Sequence, residues 1–126
     1  MTEAKKKIVY LVEDDEFLGS VLSDHLIKSG FDATLITSGD KALETIKGNV
    51  PDILLLDIFL PGLNGLELLE ELRKDESTKN LKVFVVSNTD QSDSRNKAKE
   101  LGADFIIKAA TTPGEIIDLV KKALGL

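Results

Sequence analysis

Glu13-Asp14, Asp57, Ser87 and Lys108 each stand at the end of a short apolar run. Asp57 closes Ile53-Leu54-Leu55-Leu56, and the acid pair follows Val9-Tyr10-Leu11-Val12. Ser87 follows Val83-Phe84-Val85-Val86, and Lys108 follows Phe105-Ile106-Ile107. Such runs read as strands buried on both faces, and packing gives no reason for an acid at their ends. Carboxylates held close together repel one another and raise their own pKa values. A hard divalent cation relieves that repulsion, and a few acids with room for water suit Mg²⁺ better than Ca²⁺. A hydroxyl and an ammonium facing the same point supply what the oxygens of a phosphoryl group need. The set predicts a metal-assisted phosphoryl site in which Asp57, the lone acid on the central strand, is the acceptor.

Each residue taken alone has a plainer reading. Acids at the start of the first helix favour its dipole, and Asp15 and Glu16 are assigned that role. Ser87 alone is a loop serine, Lys108 alone a surface lysine, and Asp57 alone a structural cap. Only the four strand ends together point to phosphoryl chemistry.

These ends meet only if the strands lie side by side. Apolar runs at 8–12, 33–36, 53–56, 83–86 and 105–107 alternate with segments of helical spacing. Those segments include Leu18, Val21, Leu22 and Leu26; Ala42, Leu43 and Ile46; Leu68, Leu69 and Leu72; and Ile116, Ile117, Val120 and Leu124. Alternation of this kind predicts an α/β, doubly wound, five-stranded parallel sheet covered on both faces, and order 2-1-3-4-5 brings the four ends to one rim. Asn64 with Glu67, and Thr112 with Pro113 and Glu115, mark two helix starts. The segment from Gln91 to Gly102 offers only Ala98 and Leu101 to a core, and so predicts the most mobile helix.

The chain has 126 residues, 42% of them hydrophobic and 30% charged, which fits a single domain over 1–126 with no output domain. It has no cysteine, so thiol chemistry and disulfides are excluded. A net charge of −6 argues against a nucleic-acid surface, and Lys5-Lys6-Lys7 reads as a solvated tail. No apolar stretch approaches the roughly 20 residues of a membrane span, and no signal region follows Met1. The expectation is a cytoplasmic protein.

The ordered set Val12-Glu13-Asp14, Asp57 with Leu60-Pro61 and Gly65, Ser87, Gly102-Ala103 and Phe105-Ile106-Ile107-Lys108 resembles the receiver domain of two-component response regulators. The resemblance covers nearly the whole chain and implies the flavodoxin-like (βα)5 receiver fold. It implies that Asp57 accepts a phosphoryl group from a sensor histidine kinase, a histidine phosphotransfer protein or a small phosphodonor. It further implies Mg²⁺ bound by Asp14, Asp57 and the Phe59 backbone carbonyl, with Glu13 acting largely through water. Ser87 and Lys108 would hold the phosphoryl oxygens, and Phe105 would be a rotating aromatic coupled to Ser87. The output would be a protein-binding surface around the fourth helix, fifth strand and fifth helix, read by a downstream protein. A signalling phosphoacceptor rather than an enzyme is expected, monomeric when unphosphorylated.

The chain departs from the usual receiver pattern in three places. Ala109 replaces the proline that follows the lysine, and the segment to Glu115 is one residue longer. A cis bond without proline costs about 2.5–4 kcal/mol, so a trans bond and a rebuilt loop are predicted, with Lys108 open to displacement. Asn88 stands beside the pocket, where it would slow access. Phe59 and Thr89 occupy positions that tune dephosphorylation, and a bulky Phe59 predicts slow loss of the group.

Three rival readings were weighed. A haloacid-dehalogenase-type phosphatase needs a second acid where Phe59 stands, and an FMN site would be repelled by Glu13-Asp14-Asp15-Glu16. A pseudo-receiver, an interaction module without phosphorylation, is the remaining alternative. His25, the sole histidine, shares a predicted face with Leu18 and Leu22 and reads as packed or at a boundary.

Overall fold

The structure is a computed structural model that describes residues 6–88 and 91–126. In chain order its elements are β1 (Ile8–Val12), α1 (Glu16–Lys28), β2 (Asp32–Ile36), α2 (Gly39–Gly48), β3 (Ile53–Asp57) and α3 (Gly65–Lys74). They continue as β4 (Lys82–Ser87), α4 (Ser92–Glu100), β5 (Asp104–Ile107), a 3-10 turn (Lys108–Ala110) and α5 (Pro113–Ala123). The five strands form one parallel sheet in the order β2-β1-β3-β4-β5, as the alternating pattern predicted.

Strand alternation divides the core in two. Tyr10, Val12, Leu54, Leu56, Val83 and Val85 face a cluster that includes Ala42, Ile46, Leu68, Leu69 and Leu72 from α2 and α3. Val9, Leu11, Ile53, Leu55, Phe84 and Val86 face the other side, against Leu26 of α1 and Ile116, Ile117 and Val120 of α5. Each large aliphatic side chain buried this way contributes about 1.5–3 kcal/mol. The central strand β3 is buried along its full length, so its backbone is the rigid mount for Asp57.

The helix starts follow the sequence signals. Asn64 accepts from Glu67 N at 2.9 Å while Glu67 accepts from Asn64 N at 3.2 Å, closing a capping box. Thr112 and Glu115 form a second box, with Pro113 in the first turn of α5. The Asp15 side chain caps α1 by accepting from Leu18 N. In α4 the N-cap Gln91 makes no side-chain cap bond and Ala98 is the buried residue, which matches the thin apolar grip read from the sequence.

Two expectations for α1 need correction. Leu18 is 45% exposed and His25 is also exposed, so His25 is neither packed nor at a boundary. Of the predicted stripe, Leu26 is buried and Val21 and Leu22 are half-buried, while Gly19 rather than Leu18 takes the remaining buried place. A Cβ on Gly19 would lie 2.6 Å from Leu35 Cδ1, so the helix approaches β2 on its glycine side. Glycine carries no hydrophobic signal, so the pattern points to Leu18 where Gly19 is the buried residue.

After β5 the chain makes a single 3-10 turn, in which Thr111 Oγ1 donates to Ile107 O at 2.8 Å. No cis peptide bond occurs among the described residues, so the rebuilt, trans loop predicted from Ala109 is present. No helix among the described residues is long and apolar enough to cross a membrane.

The loop behind Asp57 leaves no room for a side chain at Gly65, because a Cβ there would collide with the Asp57 carbonyl and Ile58. Gly65 N also donates to Ile58 O at 2.8 Å, which fixes the start of α3 against the strand end. Gly65→Ala is expected to destabilise the fold by about 1–3 kcal/mol. The check is a lowered urea midpoint with unchanged slope; an unaltered midpoint would contradict the close approach.

Candidate functional site

Strand register brings the predicted residues to one edge of the sheet. Val12 is level with Leu56, which sets Glu13 beside Asp57. Asp57 is level with Val86, one residue before Ser87. Ser87 is level with Ile107, one residue before Lys108. Glu13 N donates to Ile36 O at 2.9 Å, so the backbone extends the strand geometry as far as the first acid.

The side chains converge as well. Lys108 Nζ donates to Glu13 Oε1 at 2.9 Å, Glu13 Oε2 at 2.8 Å and Asp57 Oδ2 at 3.1 Å. Glu13 is 4% exposed and Asp57 6% exposed, while Asp14 is open to solvent. One carboxylate oxygen from each of Glu13, Asp14 and Asp57 lies within 4.8 Å of the others. These three oxygen donors, one of them facing solvent, fit a hard divalent cation that keeps some of its water. The displacement of Lys108 that the altered loop left open is not seen, because the long stem carries the ammonium to the acids.

The electrostatics follow from burial. Loss of water pushes the Glu13 carboxyl up to about 8, and the adjoining Asp57 adds to the rise. Lys108 donates to both Glu13 oxygens and opposes that rise without cancelling it. Burial alone would lower Lys108, but its hydrogen bonds and attraction to Glu13 and Asp57 reverse the effect and raise it.

The other predicted residues are less closely joined. Ser87 is fully buried at the rim, and Asn88 beside it is exposed. Phe59 projects largely into solvent, at 57% exposure, while its N–H lies 3.4 Å from Asp57 Oδ1. Phe105 is half-buried on β5, level with Val85 and two residues back from the rim. Thr89 lies outside the described residues.

Sequence reasoning missed two features. An apolar cavity of about 300 Å³ runs from Glu13, Asp57 and Lys108 down between Leu18, Leu22 and Ile116. The Arg95 guanidinium lies over the Phe105 ring, 5.3 Å from its centroid. Neither has a local signal, since both depend on how α1, α4 and α5 sit on the sheet.

Comparison with known proteins agrees with this geometry. The family profile for the response regulator receiver domain matches residues 9–121. The transcriptional regulatory protein BaeR of Escherichia coli O6:H1 is 34% identical over 116 residues, covering 92% of this chain and 47% of that protein. The phosphate regulon transcriptional regulatory protein PhoB of Rhizobium meliloti is 33% identical over 117 residues, covering 92% and 51%. This chain therefore spans about half the length of these curated relatives. The BeF3-activated N-terminal receiver domain of Klebsiella pneumoniae RstA superposes with a TM-score of 0.81 at 30% identity, covering 90% of this chain and 95% of that one. For the fold alone, a CheY-like receiver domain protein from Methanospirillum hungatei JF-1 gives 0.89 at 24% identity, covering 96% and 95%. The chain belongs to the response regulator receiver domain family of two-component systems.

Between its unfolded value and about 8, Glu13 keeps a proton in the folded chain that the unfolded chain has released. Stability of the metal-free protein is therefore expected to fall as pH rises from about 5 to about 8, and to fall less in Glu13→Gln. Urea unfolding in chelator across that range checks this; an identical slope in the variant would contradict it.

Proposed function

We propose that the chain is a working phosphoacceptor in which Asp57 receives a phosphoryl group in a Mg²⁺-dependent step. The observation that carries this reading is the contact of Lys108 with Asp57 and Glu13 at the rim of a fully buried central strand. The donor would be a sensor histidine kinase, a histidine phosphotransfer protein or a small phosphodonor. In the cation's site, Asp14, Asp57 and the Phe59 carbonyl would bind directly, with Glu13 acting largely through water. When bound, Mg²⁺ supplies charge neutralisation between the acids and the incoming phosphoryl oxygens.

The chain's own residues would do the rest. An Asp57 carboxylate oxygen attacks phosphorus, and the bond from phosphorus to the donor breaks as the new oxygen–phosphorus bond forms. From a phosphohistidine, the departing imidazole nitrogen takes a proton from water; from acetyl phosphate, acetate departs. Lys108 transfers its donation from the Glu13–Asp57 pair to the phosphoryl oxygens, which carry more charge. The Ser87 hydroxyl donates to another of those oxygens, and Phe105 turns inward as Ser87 moves. The surface around α4, β5 and α5 then changes, and a downstream protein reads it. Catalysis by the chain would be limited to slow self-dephosphorylation, with Phe59 and Thr89 setting the rate and Asn88 limiting access. We assign the unphosphorylated chain as a cytoplasmic monomer.

Intact-mass spectrometry after incubation with acetyl phosphate and Mg²⁺ is the test. One phosphoryl group should be gained, and none in Asp57→Asn or in chelator. If neither acetyl phosphate nor beryllofluoride engages the wild type, the reading fails and the pseudo-receiver replaces it.

A further inference from the structure

Lys108 can hold the acids only where the chain holds Lys108, and the turn that carries it has few means of doing so. That turn consists of Lys108, Ala109 and Ala110, and both alanines are exposed. Their methyl groups make no polar bond, and no ring restricts rotation at Ala109. Among the described residues, Ile107 gives the turn no side-chain cap bond. The backbone bonds of a 3-10 turn are themselves poorly aligned. A flexible four-carbon stem reaches Glu13 and Asp57 from a range of root positions, so reach alone does not fix where the ammonium rests.

Thr111 supplies the constraint. Its Oγ1 donates to Ile107 O at 2.8 Å, and its N–H donates to Lys108 O at 3.2 Å. The two peptide groups that flank the Lys108 Cα therefore both bond to one residue. The hydroxyl bond is partly buried, where water competes for it less than at an open surface. Both ends of this tie are themselves fixed. Ile107 is level with Ser87 in the sheet, and Thr112, the next residue, closes the capping box with Glu115 that starts α5. Of two adjacent threonines, Thr112 bonds forward into the helix and Thr111 bonds back to the strand.

We propose that Thr111 is a positioning residue for Lys108: by bonding to both peptide groups beside the Lys108 Cα, it sets where the ammonium rests between Glu13 and Asp57. That this placement serves phosphoryl transfer rests on the function proposed above; the placement itself rests on the contacts alone. Three bonds of 2.8–3.1 Å from one ammonium tolerate little movement of its root. At a reacting site, a misplacement of about 1 Å can cost about a hundredfold in rate.

The test compares wild type, Thr111→Val, Thr111→Ser, Lys108→Met and the double variant Thr111→Val with Lys108→Met. Valine removes the hydroxyl and keeps the branched shape, whereas serine keeps the hydroxyl. The readouts are the NMR resonance of Lys108 Nζ without metal, calorimetric titration of Mg²⁺, and phosphorylation by acetyl phosphate at saturating Mg²⁺. Thr111→Val should move the Nζ resonance towards that of solvated lysines. It should bind Mg²⁺ about two- to five-fold more tightly, because a loosened ammonium opposes the cation less. Its phosphorylation should slow about three- to ten-fold, and Thr111→Ser should stay close to wild type in all three readouts. On Lys108→Met, Thr111→Val should change Mg²⁺ affinity no further. An unmoved resonance with unchanged Mg²⁺ affinity in Thr111→Val overturns the proposal. The same gain in affinity on Lys108→Met also overturns it, because Thr111 would then act without Lys108. A moved resonance with an unaltered phosphorylation rate overturns the service to phosphoryl transfer. If neither acetyl phosphate nor beryllofluoride engages the wild type, the proposed function fails, while the resonance and the Mg²⁺ titrations still decide the placement.

Discussion

Lys108 holds together a site that would otherwise repel itself. Two buried acidic side chains, Glu13 and Asp57, accept from its ammonium at 2.8–3.1 Å, with Asp14 a third acid at the solvent side. Burying one such carboxylate without a partner costs several kcal/mol, and leaving two unpaired side by side costs more. The pairing is therefore a condition on the fold as well as on the chemistry. It also places an ammonium, already largely desolvated, against Asp57.

The scaffold exists to hold that arrangement in place. The central strand is buried along its length, so Asp57 has almost no freedom of backbone position. Gly65 lets the chain turn back directly against the Asp57 carbonyl, and the Asn64–Glu67 box starts α3 at once. On the opposite side of the rim the structure is looser. The helix α4 has little apolar grip, with Ala98 its buried residue, and Arg73 of α3 donates to its C-cap carbonyl. A rigidly held Asp57 thus lies beside a helix with few buried contacts.

Much of this was legible in the sequence, for physical reasons. A strand buried on both faces has no use for an acid at its end, so Asp57 and Glu13 stood out against their apolar neighbours. Alternation of strand and helix, read with the capping residues Asn64 and Thr112, was enough for a parallel sheet, and its order was a choice among the few that right-handed crossovers allow. The errors came where the controlling contact has no local signature. Gly19 sets the buried face of α1 through its closeness to Leu35, and a hydrophobic pattern does not register a glycine. The loss of proline at Ala109 opened the question of a displaced Lys108, yet a four-carbon stem absorbs a change in loop path. Arg73 and Arg95 are long, polar side chains that reach, among other groups, a carbonyl and a ring on distant segments, so these contacts emerge only once the helices are packed.

The site as a whole depends on Lys108 occupying the acid pair of Glu13 and Asp57. Calorimetric titration of Mg²⁺ into metal-free wild type and Lys108→Met tests it most directly, because Met keeps much of the stem and removes the charge. An ammonium 3.1 Å from Asp57 opposes a second cation on the same carboxylate. The account predicts that Lys108→Met binds Mg²⁺ more tightly than wild type. Equal or weaker binding would show that Lys108 does not hold the acids in solution, and would contradict the account.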